Sequence, residues 1–250
     1  YFHKAMSQNE TLFQKEEKVF FRTYKRLSLD IERGDGCYLY ARDGKRYLDF
    51  FGGLAVNALG YNHPRVNKAI QDQLQKYIHL SNFYVQEPQV QLAERLIALT
   101  GFKRVFLSNS GTEAIEGAIK LARKWGKKND KTQLLGFTNS FHGRTMGALS
   151  LTEREKYREG YEPFLPNVSH IKYDDVAELR SAVNNETLAV VLEFIQGEGG
   201  IYLVSREFAS ALAELRDRFG FLIVADEIQS GMGRTGKFFG FEQFGVKPDI

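Results

Sequence analysis

The sequence has one cysteine, Cys37, among 250 residues. A single thiol excludes an intrachain disulfide framework and fits a reducing compartment, so a cytoplasmic protein is expected. Long hydrophobic runs are missing as well. The longest candidates, LAVVLEFI and FLIVA, are strand-sized, so no membrane span is expected. Neither sign of charge dominates: 34 basic and 31 acidic residues leave a net charge of +3, with no basic block. Nucleic acid is therefore not an expected partner, because that binding needs clustered Lys and Arg. No internal repeat or low-complexity linker interrupts the chain, and no metal site is expected. The opening YFHKAMSQNE lacks a signal-peptide core; Met6 is read as the natural start, with residues 1–5 added for expression.

What is present is a hydrophobic content of 43%, enough for a substantial core in one large domain or one domain plus part of another. Residues 9–22 read as a short helix. CYLYARDGKRYLDF reads as a β-hairpin turning at Asp43-Gly44. Pro64 and Pro88 sit at first-turn positions of two helices, RVNKAIQDQLQKYI and QVQLAERLIAL. From residue 104 onward, short apolar runs (RVFLS, QLLGFT, ALSLT, HIKY, LAVVLEF, FLIVADE) alternate with helical stretches, DVAELRSAV and REFASALAELRDRFG among them. Apolar strands alternating with helices predict a mainly parallel sheet covered on both faces.

In such a sheet ligands bind beyond the carboxyl ends of the strands. Those ends carry the unusual residues: SNSGT after RVFL, NSFHGRT after QLLGFT, IQGEGG after LAVVLEF and DEIQSG after FLIVA. Ser110 with Glu113 has the spacing of a capping box, and Ile115, Ala118, Ile119, Ala122 and Trp125 give the following helix one buried face. That is ordinary helix initiation. The second reading is an anion site: Gly111 and Thr112 leave bare backbone N–H groups at a helix start, and the hydroxyls of Ser110 and Thr112 add donors. Asp226 ends an apolar strand, where a carboxylate is costly unless it meets a cation; otherwise it caps a loop. Glu193, also at a strand end, reads as a satisfied polar residue.

Taken together, SNSGTEA, SFHGRT, EFIQGEGG and ADEIQSGMGRTG resemble the class III aminotransferases, pyridoxal 5'-phosphate (PLP) enzymes of fold type I, over nearly the whole chain. GGLAVNALG, SNFYVQEP and FHGRT are most similar to the acetylornithine branch. The resemblance implies an α/β fold: a PLP-binding large domain, residues 61–250, with a mainly parallel seven-stranded sheet and helices on both faces. Residues 1–60 would then be an N-terminal segment of the small domain, helix plus hairpin. It also implies roles. Ser110, Gly111 and Thr112 would hold the cofactor phosphate, Phe141 would stack on the ring and His142 would line the same wall. Asp226 would pair the ring nitrogen, keeping it cationic and the ring an electron sink, and Gln229 would reach the ring hydroxyl. Arg144 would grip the substrate α-carboxylate with its planar fork. Glu198 would pair with a second arginine and swing aside for the second substrate.

The implied reaction moves the terminal amino group of N2-acetylornithine to 2-oxoglutarate in a homodimer. Ornithine, succinylornithine, succinyldiaminopimelate and 4-aminobutyrate remain alternative donors. The family's Schiff-base lysine is matched by neither Lys237 nor Lys247 and is expected beyond Ile250. The sequence is thus expected to be a fragment, its large domain incomplete and its C-terminal small domain missing. Two other readings stay open: a catalytically silent PLP-fold binding protein, and an NAD-dependent dehydrogenase. The latter rests on GMGRTG at 231–236, which formally matches G-x-G-x-x-G but leads into no amphipathic helix and has no acidic ribose partner at the expected distance.

Overall fold

A computed structural model describes residues 11–54 and 56–250. Residues 1–10, including Met6 and the start of the expected first helix, lie outside the described residues. The chain divides after Val85 into two units.

In the first unit, Thr11 caps α1 (Leu12–Val19) through a capping box with Gln14. Three short strands follow, β1 (Ile31–Asp35), β2 (Tyr38–Ala41) and β3 (Arg46–Leu48), as an antiparallel meander in the order β1-β2-β3. β2 and β3 are the expected hairpin, with Tyr40 opposite Arg46. Its turn is closed by the Asp43 carboxylate accepting from Lys45 N at 3.0 Å and by Gly44 at φ +84°. β1 was not foreseen: IERGD carries charges and a glycine in place of alternation. α2 (Pro64–Leu74) begins at the expected proline and ends before KYI, where the chain turns.

The second unit opens with α3 (Glu87–Thr100), which stops at Gly101 in the left-handed region (φ 68°). α4 (Gly111–Gly126), β4 (Gln133–Phe137), α5 (Met146–Leu151), α6 (Glu155–Arg158), β5 (Val168–Ile171), α7 (Val176–Ala182) and β6 (Thr187–Leu192) follow. Then come β7 (Ile195–Gln196), β8 (Tyr202–Leu203), α8 (Arg206–Phe219) and β9 (Leu222–Ala225). β4, β5, β6 and β9 form a parallel sheet in the order β5-β4-β6-β9. That is four strands among the described residues, against the seven expected. The backbone of residues 249–250 continues alongside β9, with Ala225 N donating to Ile250 O at 2.9 Å.

The period-two geometry of strands divides the core between the two sheet faces. Leu135, Phe137, Val190, Leu192 and Ile223 pack with Leu179 of α7 and with Phe208, Ala211, Leu212 and Leu215 of α8. Leu134, Ala189, Val191 and Val224 pack with Ile115, Ala118, Ile119 and Ala122 of α4 and with Ala148 and Leu151 of α5. All six residues of β6 are buried, as a central strand covered on both sides requires. Trp125 is half-buried at the end of the expected α4 face.

Two expected strands are corrected. Residues 104–108 form no strand: Phe106 is 80% exposed, and among the described residues they pair with no strand. ALSLT falls in the helix α5, because the Glu116 carboxylate accepts from Gly147 N (2.9 Å) and Ala148 N (3.2 Å) and fixes a helix start there. Residues 147–151 are all buried, so no helical periodicity survives in the sequence.

Candidate active site

β4, β6 and β9 are neighbours, so the loops leaving their carboxyl ends meet over one edge of the sheet. Asp226 follows β9 and is 6% exposed. One carboxylate oxygen lies 2.8 Å from His142 Nδ1, and the other accepts from Ile228 N at 3.1 Å. Its own N–H donates to Leu192 O at 2.8 Å, which pins it to the end of β6. His142 stands behind Asp226 as its imidazole partner, which corrects the expectation that it lines the wall beside Phe141. His142 Nε2 is buried with no hydrogen-bond partner.

The phosphate-cup residues begin α4. Ser110 is the N-cap, its Oγ accepting from Glu113 N at 3.3 Å. The expected reciprocal bond is redirected, since the Glu113 carboxylate takes the N–H of Asn109 at 2.6 Å. Among the described residues, the N–H groups of Gly111 and Thr112 have no protein acceptor, the state of first-turn amides available to an anion. The Thr112 hydroxyl is committed within the protein. Thr145 donates its only hydroxyl hydrogen to Glu116 Oε1 at 2.5 Å, so the 3.2 Å contact between Thr112 Oγ1 and Thr145 Oγ1 uses the hydrogen of Thr112. Donors for an anion are thus two amides and the Ser110 hydroxyl.

Three close approaches join these loops. A Cβ on Gly111 would stand 2.8 Å from Ile228 Cδ1, placing the start of α4 against the loop of Asp226. A Cβ on Gly143 (φ +126°) would stand 2.6 Å from Thr112 Cβ. A Cβ on Gly197 would stand 2.9 Å from Gln229 Cδ, so Gln229 lies against the loop after β6. Phe141, half-buried, donates its N–H to Glu193 Oε2 at 3.1 Å and meets Tyr157 edge-on at 5.7 Å. Ser110, Gly111, Thr112, Phe141, Asp226 and Gln229 are therefore brought together.

Arg144 and Glu198 stand further out. Arg144 is exposed, with its guanidinium 4.7 Å from the centre of the Tyr157 ring, so it borders Phe141 through that tyrosine. Glu198 is exposed in the β7–β8 turn, where its carbonyl accepts from Arg154. Lys247 donates to Gly101 O at 3.3 Å, away from the cluster. Residues 231–236 form a run of turns that leads only into a short 3-10 segment, Gly240–Gln243, not a dinucleotide-binding helix.

The sequence reads Glu193 as a satisfied polar residue, and it is one, although its place beside the cluster was not foreseen. It is 4% exposed, and it accepts from Phe141 N and, at 3.4 Å, from Gly197 N. Burial pushes its carboxyl up to about 7, with the nearby His142 opposing and Asp226 adding to the rise. Burial and the Glu193 charge raise the Tyr173 hydroxyl, and burial lowers His170. The signal for Glu193 was the one that found Asp226, an acid ending a wholly apolar strand.

The family profile Aminotransferase class-III matches residues 19–250. The acetylornithine aminotransferase of Archaeoglobus fulgidus is 44% identical over 237 residues, 95% of this chain and 62% of that protein. The one of Methanocaldococcus jannaschii is 41% identical over 98% of this chain and 62% of its own length. The chain thus spans about 62% of the curated relatives it matches. Among solved structures, the ornithine aminotransferase of Toxoplasma gondii superposes with a TM-score of 0.90 at 30% identity, over 95% of this chain and 57% of that one. A PLP-bound amine transaminase from an uncultivated Pseudomonas species gives 0.86 at 28% identity, over 93% and 60%. With its fold, its strand-end loops and its sequence all in agreement, the chain belongs to the class III aminotransferases.

Proposed function

We propose that this chain is the cofactor-binding part of a PLP-dependent aminotransferase, which moves the terminal amino group of N2-acetylornithine to 2-oxoglutarate in arginine biosynthesis. The observation that carries the reading is Asp226, buried, oriented by His142 and by Ile228 N, and set one loop away from the open amides of Gly111 and Thr112. These residues fit the cofactor: a buried carboxylate for a cationic ring nitrogen, and a helix start for a phosphate. When bound, PLP supplies an electron sink for the substrate carbon that loses its proton. Asp226 holds the proton on the ring nitrogen, and the Gly111 and Thr112 amides with the Ser110 hydroxyl bind the phosphate. Phe141 covers one ring face, and Gln229 donates to the ring hydroxyl. Arg144 orients the donor carboxylate, and Glu198 exchanges an arginine partner between donor and acceptor.

Residues 61–250 are proposed as large domain and residues 1–60 as small-domain segment. A homodimer is proposed because large apolar side chains stand open in the first unit. Phe50 and Phe83 are 91% and 95% exposed, and Val66, Ile70, Leu74 and Ile78 line an apolar groove of about 750 Å³. Among the described residues no helix is long and apolar enough to cross a membrane, and a cytoplasmic location is proposed.

The test takes full-length protein with PLP and follows its visible absorbance as N2-acetylornithine, ornithine, succinylornithine, succinyldiaminopimelate and 4-aminobutyrate are added singly. A spectral change and glutamate formation with N2-acetylornithine ahead of the others is the expected result. Preference for another donor moves the substrate assignment, and absence of any PLP chromophore overturns the reading.

A further inference from the structure

Glu193 is a buried carboxylate to which the proposed chemistry gives no task, and among the described residues no cationic side chain hydrogen-bonds to it. It stands between two loops that the ring must touch. One of its oxygens takes the N–H of Phe141, whose ring is the aromatic wall. The other takes the N–H of Gly197, the residue packed so closely on Gln229 that no Cβ fits between them. We propose that Glu193 is a positioning residue for the cofactor ring: one carboxylate spans the two loops and sets the gap between Phe141 and Gln229. The inference rests on the PLP reading above.

Both oxygens are needed as acceptors, and only the ionised form offers two equivalent ones. A protonated acid keeps one good acceptor and turns a hydroxyl toward the second amide. A glutamine does worse, setting an NH2 against an N–H. The clamp therefore tightens as pH rises through neutrality, in step with the raised ionisation of this carboxyl. The titratable groups facing Glu193 are His142 from the loop after β4 and Asp226 from the loop after β9. Tyr173, beyond β5, donates its hydroxyl to Glu193 O at 3.1 Å.

The experiment compares full-length wild type with Glu193→Gln and Glu193→Asp, measuring PLP affinity and the visible circular dichroism of bound PLP between about pH 6 and about pH 8.5. Loss of one loop-anchoring hydrogen bond is expected to weaken PLP binding about ten-fold in the Gln variant, without lowering its melting temperature at the alkaline end. Its dichroism should lack the change near neutral pH expected of the wild type. The Asp variant keeps the charge but is too short to reach both amides, so it should weaken binding and retain the pH step. Wild-type affinity and dichroism in both variants would overturn the proposal, as would a Gln variant with an unshifted pH step. Should the Gln variant fail to fold, the Asp variant decides by the same two readouts. A wild type that binds no PLP would sink the functional reading instead, so the two failures are distinguishable.

Discussion

Gly143 is where a single methyl group should separate phosphate recognition from ring recognition. Its φ of +126° is a conformation that L side chains rarely adopt, and holding an alanine there costs about 1–3 kcal/mol. The added Cβ would also stand 2.6 Å from Thr112 Cβ and 3.1 Å from Ala148 Cβ. Ala148 is fully buried and cannot yield, so Thr112 must move. It is β-branched and its hydroxyl is tied to Thr145, so the displacement is resisted, adding about 1–3 kcal/mol of overpacking. The sum for Gly143→Ala is about 2–6 kcal/mol, and relaxation of the exposed start of α4 favours the lower half. Because Thr112 carries one of the two open amides, the loss should fall on the phosphate. Urea unfolding of full-length protein should show about 2–4 kcal/mol of destabilisation. Binding of PLP should weaken at least about ten-fold, while binding of pyridoxal, which lacks the phosphate, changes less than about two-fold. Equal weakening of both ligands would refute the phosphate role of Ser110–Thr112, and wild-type stability would refute the packing argument.

Asp226→Asn keeps the shape of the side chain and removes its charge; breaking a buried charge pairing costs about 3–5 kcal/mol, so kcat should fall about 10²–10⁴-fold in a variant whose far-ultraviolet dichroism is unchanged. A loss below about ten-fold would argue against a cationic partner for this carboxylate. For Glu193, the folded carboxyl at about 7 lies above the ordinary 4.5, so the folded chain binds the proton more tightly than the unfolded one. The stability from this group is fully present below pH 4.5 and is lost as pH rises through 7. At 1.36 kcal/mol per unit that is about 3 kcal/mol, which denaturant titrations at pH 5 and pH 8 should find in wild type and not in Glu193→Gln. Arg144→Lys should raise KM for the amino donor about ten-fold with a smaller effect on kcat, since an ammonium cannot reproduce the bidentate fork. An unchanged KM would remove Arg144 from carboxylate recognition.

The parts of this site readable in the sequence are those whose chemistry is local. Ser110 announces a helix start and Gly111 its open amides, because capping and first-turn donors are set by adjacent residues. β6 was legible as an unbroken apolar run, and Asp226 stood out by ending such a run. Contacts made across the fold left no such trace. His142 and Asp226 are 84 positions apart, and only the order β4-β6-β9 shows that their loops meet. Glu116 reads as an exposed helix glutamate, yet it organises the start of α5 from 31 positions away and thereby takes up the Thr145 hydroxyl. α5 itself was misread because its residues 147–151 are all buried and leave no polar face to mark its period. Residues 104–108 were misread for the opposite reason: apolar composition cannot report whether a strand neighbour exists.

Charge placement connects these observations to the ligand. Asp226 and Glu193 put two carboxylates in one buried cluster with the imidazole of His142, so when both are ionised the cluster is negative unless a cation joins it. The start of α4, which Gly111 sets against the loop of Asp226 through its contact with Ile228, has the opposite character, with two unengaged amides at the positive end of a 16-residue helix. A ligand matching both ends carries a cation at one end and an anion at the other. The glycines at 111, 143 and 197 keep the loops close enough for both ends to be met at once. Neutralising only one end leaves the other demand standing, which is why Asp226→Asn and Gly143→Ala are expected to fail differently. The first should lose the activation of the ring while retaining phosphate recognition, and the second should lose the phosphate while retaining the buried carboxylate.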